Sequence, residues 1–201
     1  GWALAMGGKF HSYIFQPVSD AVNNYRLAKG DVMSKYEKLL RDWAKTVPRG
    51  AIVSKELNYK FRDKLELMMA ILHTGNESNK SKLLRGYAWG SINDDGTLNS
   101  LNWDNFIKRM YSEGTITKQD MEFAQSIWDL MESTKPAAQK AHKKMYGFYF
   151  NEITAKEIET PFGVYRGGYI PAKVDMLVED AAIRAEREDF EKNNNSFMFP
   201  T

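Results

Sequence analysis

The chain of 201 residues contains no cysteine and only three histidines, His11, His73 and His142. Lack of cysteine removes disulfides, thiolate metal sites and a cysteine nucleophile together, and is compatible with a reducing compartment. The histidines are far apart, and no H-E-x-x-H spacing or Walker loop occurs. G-x-S-x-G and a dinucleotide-binding glycine pattern are also missing. No apolar run approaches the 18 or so residues that span a bilayer. The opening GWALAMGGKF lacks the basic start and long apolar stretch of a signal peptide. Charge of one sign is lacking too: 28 basic against 26 acidic residues leave a net +2, without the basic excess of a dedicated nucleic-acid binder.

What is present is 43% hydrophobic and 27% charged residues, an ordinary globular mixture. The patterning predicts a mainly α fold: a multi-helix bundle of six to eight helices, with a long Pro-kinked helix and one β-hairpin near the C-terminal third. Apolar spacing predicts helices over Phe10–Ala28, with Pro17 inside, and from Asp31, as N-cap, to Thr46. Leu57, Phe61, Leu65, Met68, Met69 and Leu72 predict one helix over Lys55–His73, capped by Ser54 and stopped by Gly75. NESNKSKLLRGYAWG predicts a short helix ending near Gly86. SINDDGTLNS reads as a polar turn or small hairpin, and NWDNFIKRMYSEG as a helix closed by Gly114.

Thr117 and Asp120 form a capping-box pattern. From there Met121, Ala124, Trp128, Met131, Lys135, Ala138, His142, Met145 and Tyr149 repeat at three and four, a helix of about 30 residues. Pro136 should bend it one turn earlier, near Glu132. After Asn151 the period changes. EITAKEIET and VYRGGYIPA predict a hairpin over about 152–171, in which Gly167 and Gly168 permit a bulge or a positive φ. A charged helix is expected over Val174–Lys192, followed by a disordered tail, 193–201. The division is a helical segment over 1–50 and a domain over 51–192. Both ends read as cuts, which predicts a fragment of a larger polypeptide.

Candidate chemistry is thin. Ser91, Asn93, Asp95, Gly96 and Leu98 fall at calcium-loop offsets, but Ser opens the loop and Asn102 stands where a bidentate Glu belongs. His73 at a helix C-terminus is explained by a positive charge or a carbonyl bond there. His142 lies on the helix stripe. Glu152 with Glu157, or Asp129 with Glu132, could form a carboxylate pair, but 26 acidic residues give many chance pairs. Lys140, Lys143 and Lys144 lie near Tyr146, Phe148 and Tyr149, and Lys80, Lys82 and Arg85 form a second group; the simpler reading of each is a solvated helix face.

Three stretches taken in order, Leu72–Gly90, Phe106–Ile153 and Thr160–Lys173, resemble a segment of the polyvalent proteins and virion internal (ejection) proteins of bacteriophages and mobile elements. There a GNxxN…LLxGY helix precedes W…L…KP on a long helix and a TPFGxYxGGYxP turn. The resemblance spans about half the chain. It implies a non-enzymatic structural or interaction domain of a multidomain protein, in the virion interior or the bacterial host cytoplasm. Its partners would be other domains of the parent protein or other phage proteins, with homo-oligomerisation and weak nucleic-acid contact left open, and no membrane span. No cofactor, metal or catalytic residue is implied. The contact residues expected are Trp128, Tyr149, Phe162, Tyr165 and Tyr169, with Pro136, Gly167 and Gly168 as structural residues. The alternatives are a cell-wall-cleaving hydrolase or transglycosylase using Glu152 or Glu157, and a DNA-contacting accessory domain.

Overall fold

The structure is a computed structural model, and it describes residues 29–170. The helices expected over Phe10–Ala28 and Val174–Lys192, and the tail, lie outside the described residues. Within them are five helices and three two-stranded antiparallel hairpins.

Helix α1, Lys29–Ala44, carries Asp31 in its first turn rather than as the N-cap. Its inner residues Tyr36, Leu40 and Trp43 are buried. Trp43 stacks on Phe123 at 4.4 Å, so α1 shares one core with the rest, and the boundary expected at residue 50 does not separate the described parts.

The helix expected over Lys55–His73 is half hairpin. Strands β1, Ile52–Ser54, and β2, Tyr59–Phe61, pair antiparallel, with Ile52 opposite Phe61 and Ser54 opposite Tyr59. Ser54 Oγ accepts from Leu57 N at 3.1 Å, so it closes the hairpin turn and caps no helix. The helix α2, Lys64–Leu72, starts only at Asp63, whose carboxylate accepts from Glu66 N at 2.9 Å. Glu66 reaches back to Arg62 N at 2.8 Å and accepts from the Tyr59 hydroxyl, which ties hairpin to helix. Eight of its nine residues are buried, so α2 runs through the middle of the domain.

Helix α3, Glu77–Gly86, follows, then β3, Ser91–Ile92, and β4, Leu98–Asn99, as the small hairpin. Asp95 in its loop is engaged by Thr97, through the amide at 2.9 Å and the hydroxyl at 2.6 Å. Helix α4, Leu101–Ser112, ends before Gly114, whose φ is +73°. Phe61, Trp89, Trp103 and Phe106 form an aromatic block between these elements; Phe61 stacks on Phe106 at 5.5 Å and Trp89 on Trp103 at 5.7 Å.

Helix α5, Lys118–Tyr146, has 29 residues and opens on the full capping box: Asp120 N donates to Thr117 Oγ1, and Thr117 N to Asp120 Oδ2. The helix continues through Pro136. Its stripe is not uniformly buried. Met121, Ala124 and Trp128 are sealed, Met131 and Lys135 are half-buried, Ala138 is the last buried position, and Met145 is exposed.

The C-terminal hairpin is real but short: β5, Ile158–Thr160, and β6, Gly163–Tyr165, turn at Pro161–Phe162. Ile153 and Ala155 lie outside it, and Ala155 makes a single bridge to Asn76 instead. Gly167 and Gly168 also lie beyond the hairpin.

Candidate functional site

The three stretches that carry the resemblance meet at one point, the carbonyl of Gly75. It accepts two amides, Gly168 N of the last stretch at 2.9 Å and Lys156 N, from the segment just before that stretch, at 2.8 Å. Glycine is required by space. A Cβ on Gly75 would lie 2.6 Å from Trp128 Nε1 and 2.7 Å from the Gly168 carbonyl; one on Gly168 would lie 2.8 Å from Trp128 Cβ. Gly167 has φ +71°, and a Cβ there would strike the carbonyls of Lys156 and Gly75.

Side chains complete the junction. Trp128 Nε1 donates to Leu72 O at 3.0 Å, satisfying one of the carbonyls left over at the end of α2. Asn76 is fully buried and works in both directions: Oδ1 caps α3 by accepting from Asn79 N at 2.9 Å, and Nδ2 donates to Gly168 O at 3.2 Å. Asn79 Nδ2 donates to Ile170 O at 3.0 Å. The backbone of 168–170 is thus bonded to α3 and pressed onto Trp128.

Outside the junction, the hairpin is fastened to the two preceding helices. Phe162 packs edge-to-face on Tyr111 of α4 at 5.9 Å, and burial of Tyr111 pushes its hydroxyl up to about 12. Arg166 N donates to Gln125 Oε1 at 2.7 Å, and its guanidinium meets Asp129 at 3.0 Å.

Of the residues expected to make contacts, Trp128 is not at a wet edge; it is 1% exposed and its contacts are internal. Phe162, Tyr165 and Tyr169 are half-buried, and burial raises the Tyr165 hydroxyl. Only Tyr149 is exposed, on a different part of the molecule. Of the bulge or positive φ expected at Gly167–Gly168, Gly167 has the positive φ, and the close neighbours are the Lys156 and Gly75 carbonyls at Gly167 and Trp128 at Gly168. Asn76 and Asn79 stood in the GNxxN motif without an assigned role; an asparagine before a helix, answered three residues later, was the available signal for the cap.

Gly167, Gly168 and Tyr169 also form one wall of a cleft of about 300 Å³ that holds Asp129, Glu132 and Glu152. These acids are solvated and partnered. Asp129 and Glu132 are 51% and 55% exposed; Asp129 meets Arg166, and Glu132 meets Lys135 at 3.0 Å. Glu152 accepts from Gln139 at 3.4 Å, and Glu157 does not line the cleft. Asp129 and Glu132 each face a cation and Glu152 a neutral amide, and none is buried against a second carboxylate in the arrangement used for general-acid work.

A second cleft of about 600 Å³ runs past Arg49, Arg109 and Glu113, with Lys64 and Asp120 in its wall. Asp120 is 2% exposed and serves three donors: Lys64 Nζ at 2.6 Å, Trp43 Nε1 at 2.9 Å and Thr117 N at 2.8 Å. Its saturation makes it a structural hub joining α1, α2 and α5.

His73, just past α2, is 1% exposed, and neither ring nitrogen has a hydrogen-bond partner among the described residues. It is therefore neither the helix-end cation nor the carbonyl-bonded ring expected; burial lowers its pKa to about 4. His142 is half-buried and its Nδ1 bonds Phe148 O at 2.7 Å. Among the described residues no group of three or more His, Asp or Glu could hold a metal ion, and no helix is long and apolar enough to cross a membrane.

Comparison with protein-family models, curated proteins and solved structures finds no match.

Proposed function

We propose that this chain is a non-enzymatic structural and interaction domain of a large phage internal or polyvalent protein. In that role it packs against neighbouring domains or subunits in the virion interior or the host cytoplasm. One observation carries the reading. The glycines, asparagines and tryptophan of the three family-like stretches gather around Gly75, and each takes part in holding one length of backbone against another. None of these side chains is left aimed at a space where a substrate could sit. A fold that spends its most distinctive residues on a brace fits a module whose work is to keep a shape. Of the acids beside the brace, Asp129 and Glu132 are ion-paired and solvated, which fits the same reading. Mass spectrometry of purified particles of the parent phage tests it. The expected result is peptides of this chain at a fixed copy number relative to the capsid protein. Particles free of the chain would overturn the assignment.

A further inference from the structure

The far end of α5 is a built surface that the brace does not explain. Gly147, with φ +83°, ends the helix in the left-handed conformation and sends the chain back along it. Gln139 holds the returning strand in two directions, donating to Phe150 O at 2.8 Å and accepting from Phe150 N at 2.9 Å. The His142 ring bonds Phe148 O and packs on three neighbours, Tyr146 at 4.7 Å, Phe148 at 5.0 Å and Phe150 at 5.4 Å. This fold-back fixes the rings of Tyr146, Phe148 and Tyr149 outward, 58%, 62% and 57% exposed. Large rings in such numbers at one tip are unusual unless something covers them.

Charge says what covers them. From Ser133 to Asn151 there are four lysines and no acidic residue, in a chain that is otherwise nearly balanced. Lys140, Lys143 and Lys144 are all exposed, and Lys143 Nζ lies 4.7 Å from the centre of the Tyr149 ring. A second copy of the same tip would repel it. An anionic membrane is a weaker match, because interfacial insertion uses Leu, Phe and Trp side chains and of these the tip exposes only Phe148. The same stretch contains no Leu, Ile, Val or Trp. Flat ring faces interleaved with lysines fit a polyanion that itself offers flat faces: bases stack on the rings while phosphates meet the ammonium groups.

We infer that the tip of α5, centred on Phe148 and Tyr149 with Lys140, Lys143 and Lys144, binds single-stranded nucleic acid without sequence preference. This goes beyond the packing role and does not depend on it. The test is fluorescence anisotropy of a labelled oligothymidylate of about 12 nucleotides with the full chain. The affinity should fall with a slope of about −2 in log salt, as three phosphate contacts require. Phe148→Ala and Tyr149→Ala should each weaken binding roughly fivefold or more, and Tyr149→Ala, whose ring meets only Lys143 among the described residues, should do so with the melting temperature unchanged. The duplex of the same length should bind less well. Failure to bind at low salt, or binding unaffected by either ring substitution, overturns the inference. Equal affinity for polyglutamate, or stronger binding to phosphatidylserine vesicles, also overturns it, in favour of an acidic protein or a membrane surface.

Discussion

Trp128 occupies the space that a side chain on Gly168 would need: a Cβ built there lies 2.8 Å from Trp128 Cβ and 3.0 Å from its Cγ. The clash is with atoms anchored to the α5 backbone, so rotation of the indole does not relieve it. Gly168→Ala should therefore cost about 2 kcal/mol, and Gly168→Val more, by overpacking. Urea unfolding of the two variants measures this. A Gly168→Val chain that melts like the parent would show that the close approach is wrong.

Asn76→Ala should cost about 3 kcal/mol, because it strips the α3 cap and leaves Gly168 O buried without its donor. Asn76→Ser keeps a capping oxygen and loses the donor to Gly168 O without burying a charge, so it should recover part of the loss. Native-state hydrogen exchange distinguishes the two effects. In both variants the Gly168 amide should exchange faster, whereas only Asn76→Ala should also expose the first turn of α3.

Asp120→Ala should be among the most damaging substitutions, about 3–5 kcal/mol, since it leaves the Lys64 ammonium buried and unpaired and also breaks the capping box. Lys64→Met removes the cation and leaves Asp120 with its indole and amide donors, and should cost less. Thermal unfolding of the two single variants ranks them. The opposite order would mean that Lys64, not Asp120, is the hub.

His73 makes stability depend on pH. Its folded pKa is about 4 against an ordinary value of 6.5, so between these values the unfolded chain binds a proton that the folded chain does not. Stability is full above pH 6.5, declines as pH falls through that window by on the order of 3 kcal/mol, and owes no further loss to this group below about 4. Urea midpoints for the parent and His73→Leu between pH 4 and 7 check this. The variant should lose most of the decline; an unchanged slope would place its origin elsewhere.

Peptidoglycan release should be no greater with the parent chain than with buffer, and Glu152→Gln with Glu157→Gln should change nothing. Release by the parent that disappears in the double variant would establish the hydrolase reading instead.

The helices with explicit end signals were legible in the sequence. Thr117 and Asp120 announce α5, and α3 ends at Gly86 as its pattern predicts. The first hairpin was not legible, because Leu57, Phe61 and Leu65 fall on a four-residue spacing continuous with Met68, Met69 and Leu72. Strands of three residues are too short to show a competing period of two. The overlooked signal was Asp63 followed by Glu66, a helix start in the middle of the apparent helix. The site was legible only in parts. Gly167–Gly168 marks special backbone, but the groups that make it necessary, Trp128 and the Gly75 carbonyl, lie far away in the sequence. Local pattern carries no information at that separation, and so the glycines read as a bulge or a positive φ, of which Gly167 has the latter. Trp128 lies on the helix stripe, and that position, more than its aromatic chemistry, decides where it goes: it is buried.

Helix α5 loses its burial just beyond Pro136, the residue that cannot donate to the carbonyl of Glu132. The missing rung thus falls where the inboard half, clamped through Trp128 and Asp120, gives way to the outboard half with its ring-bearing end. A rod made this way has its compliance concentrated at one place. Load applied to the outer end should be taken up as tilt at the proline before it reaches the brace around Gly75.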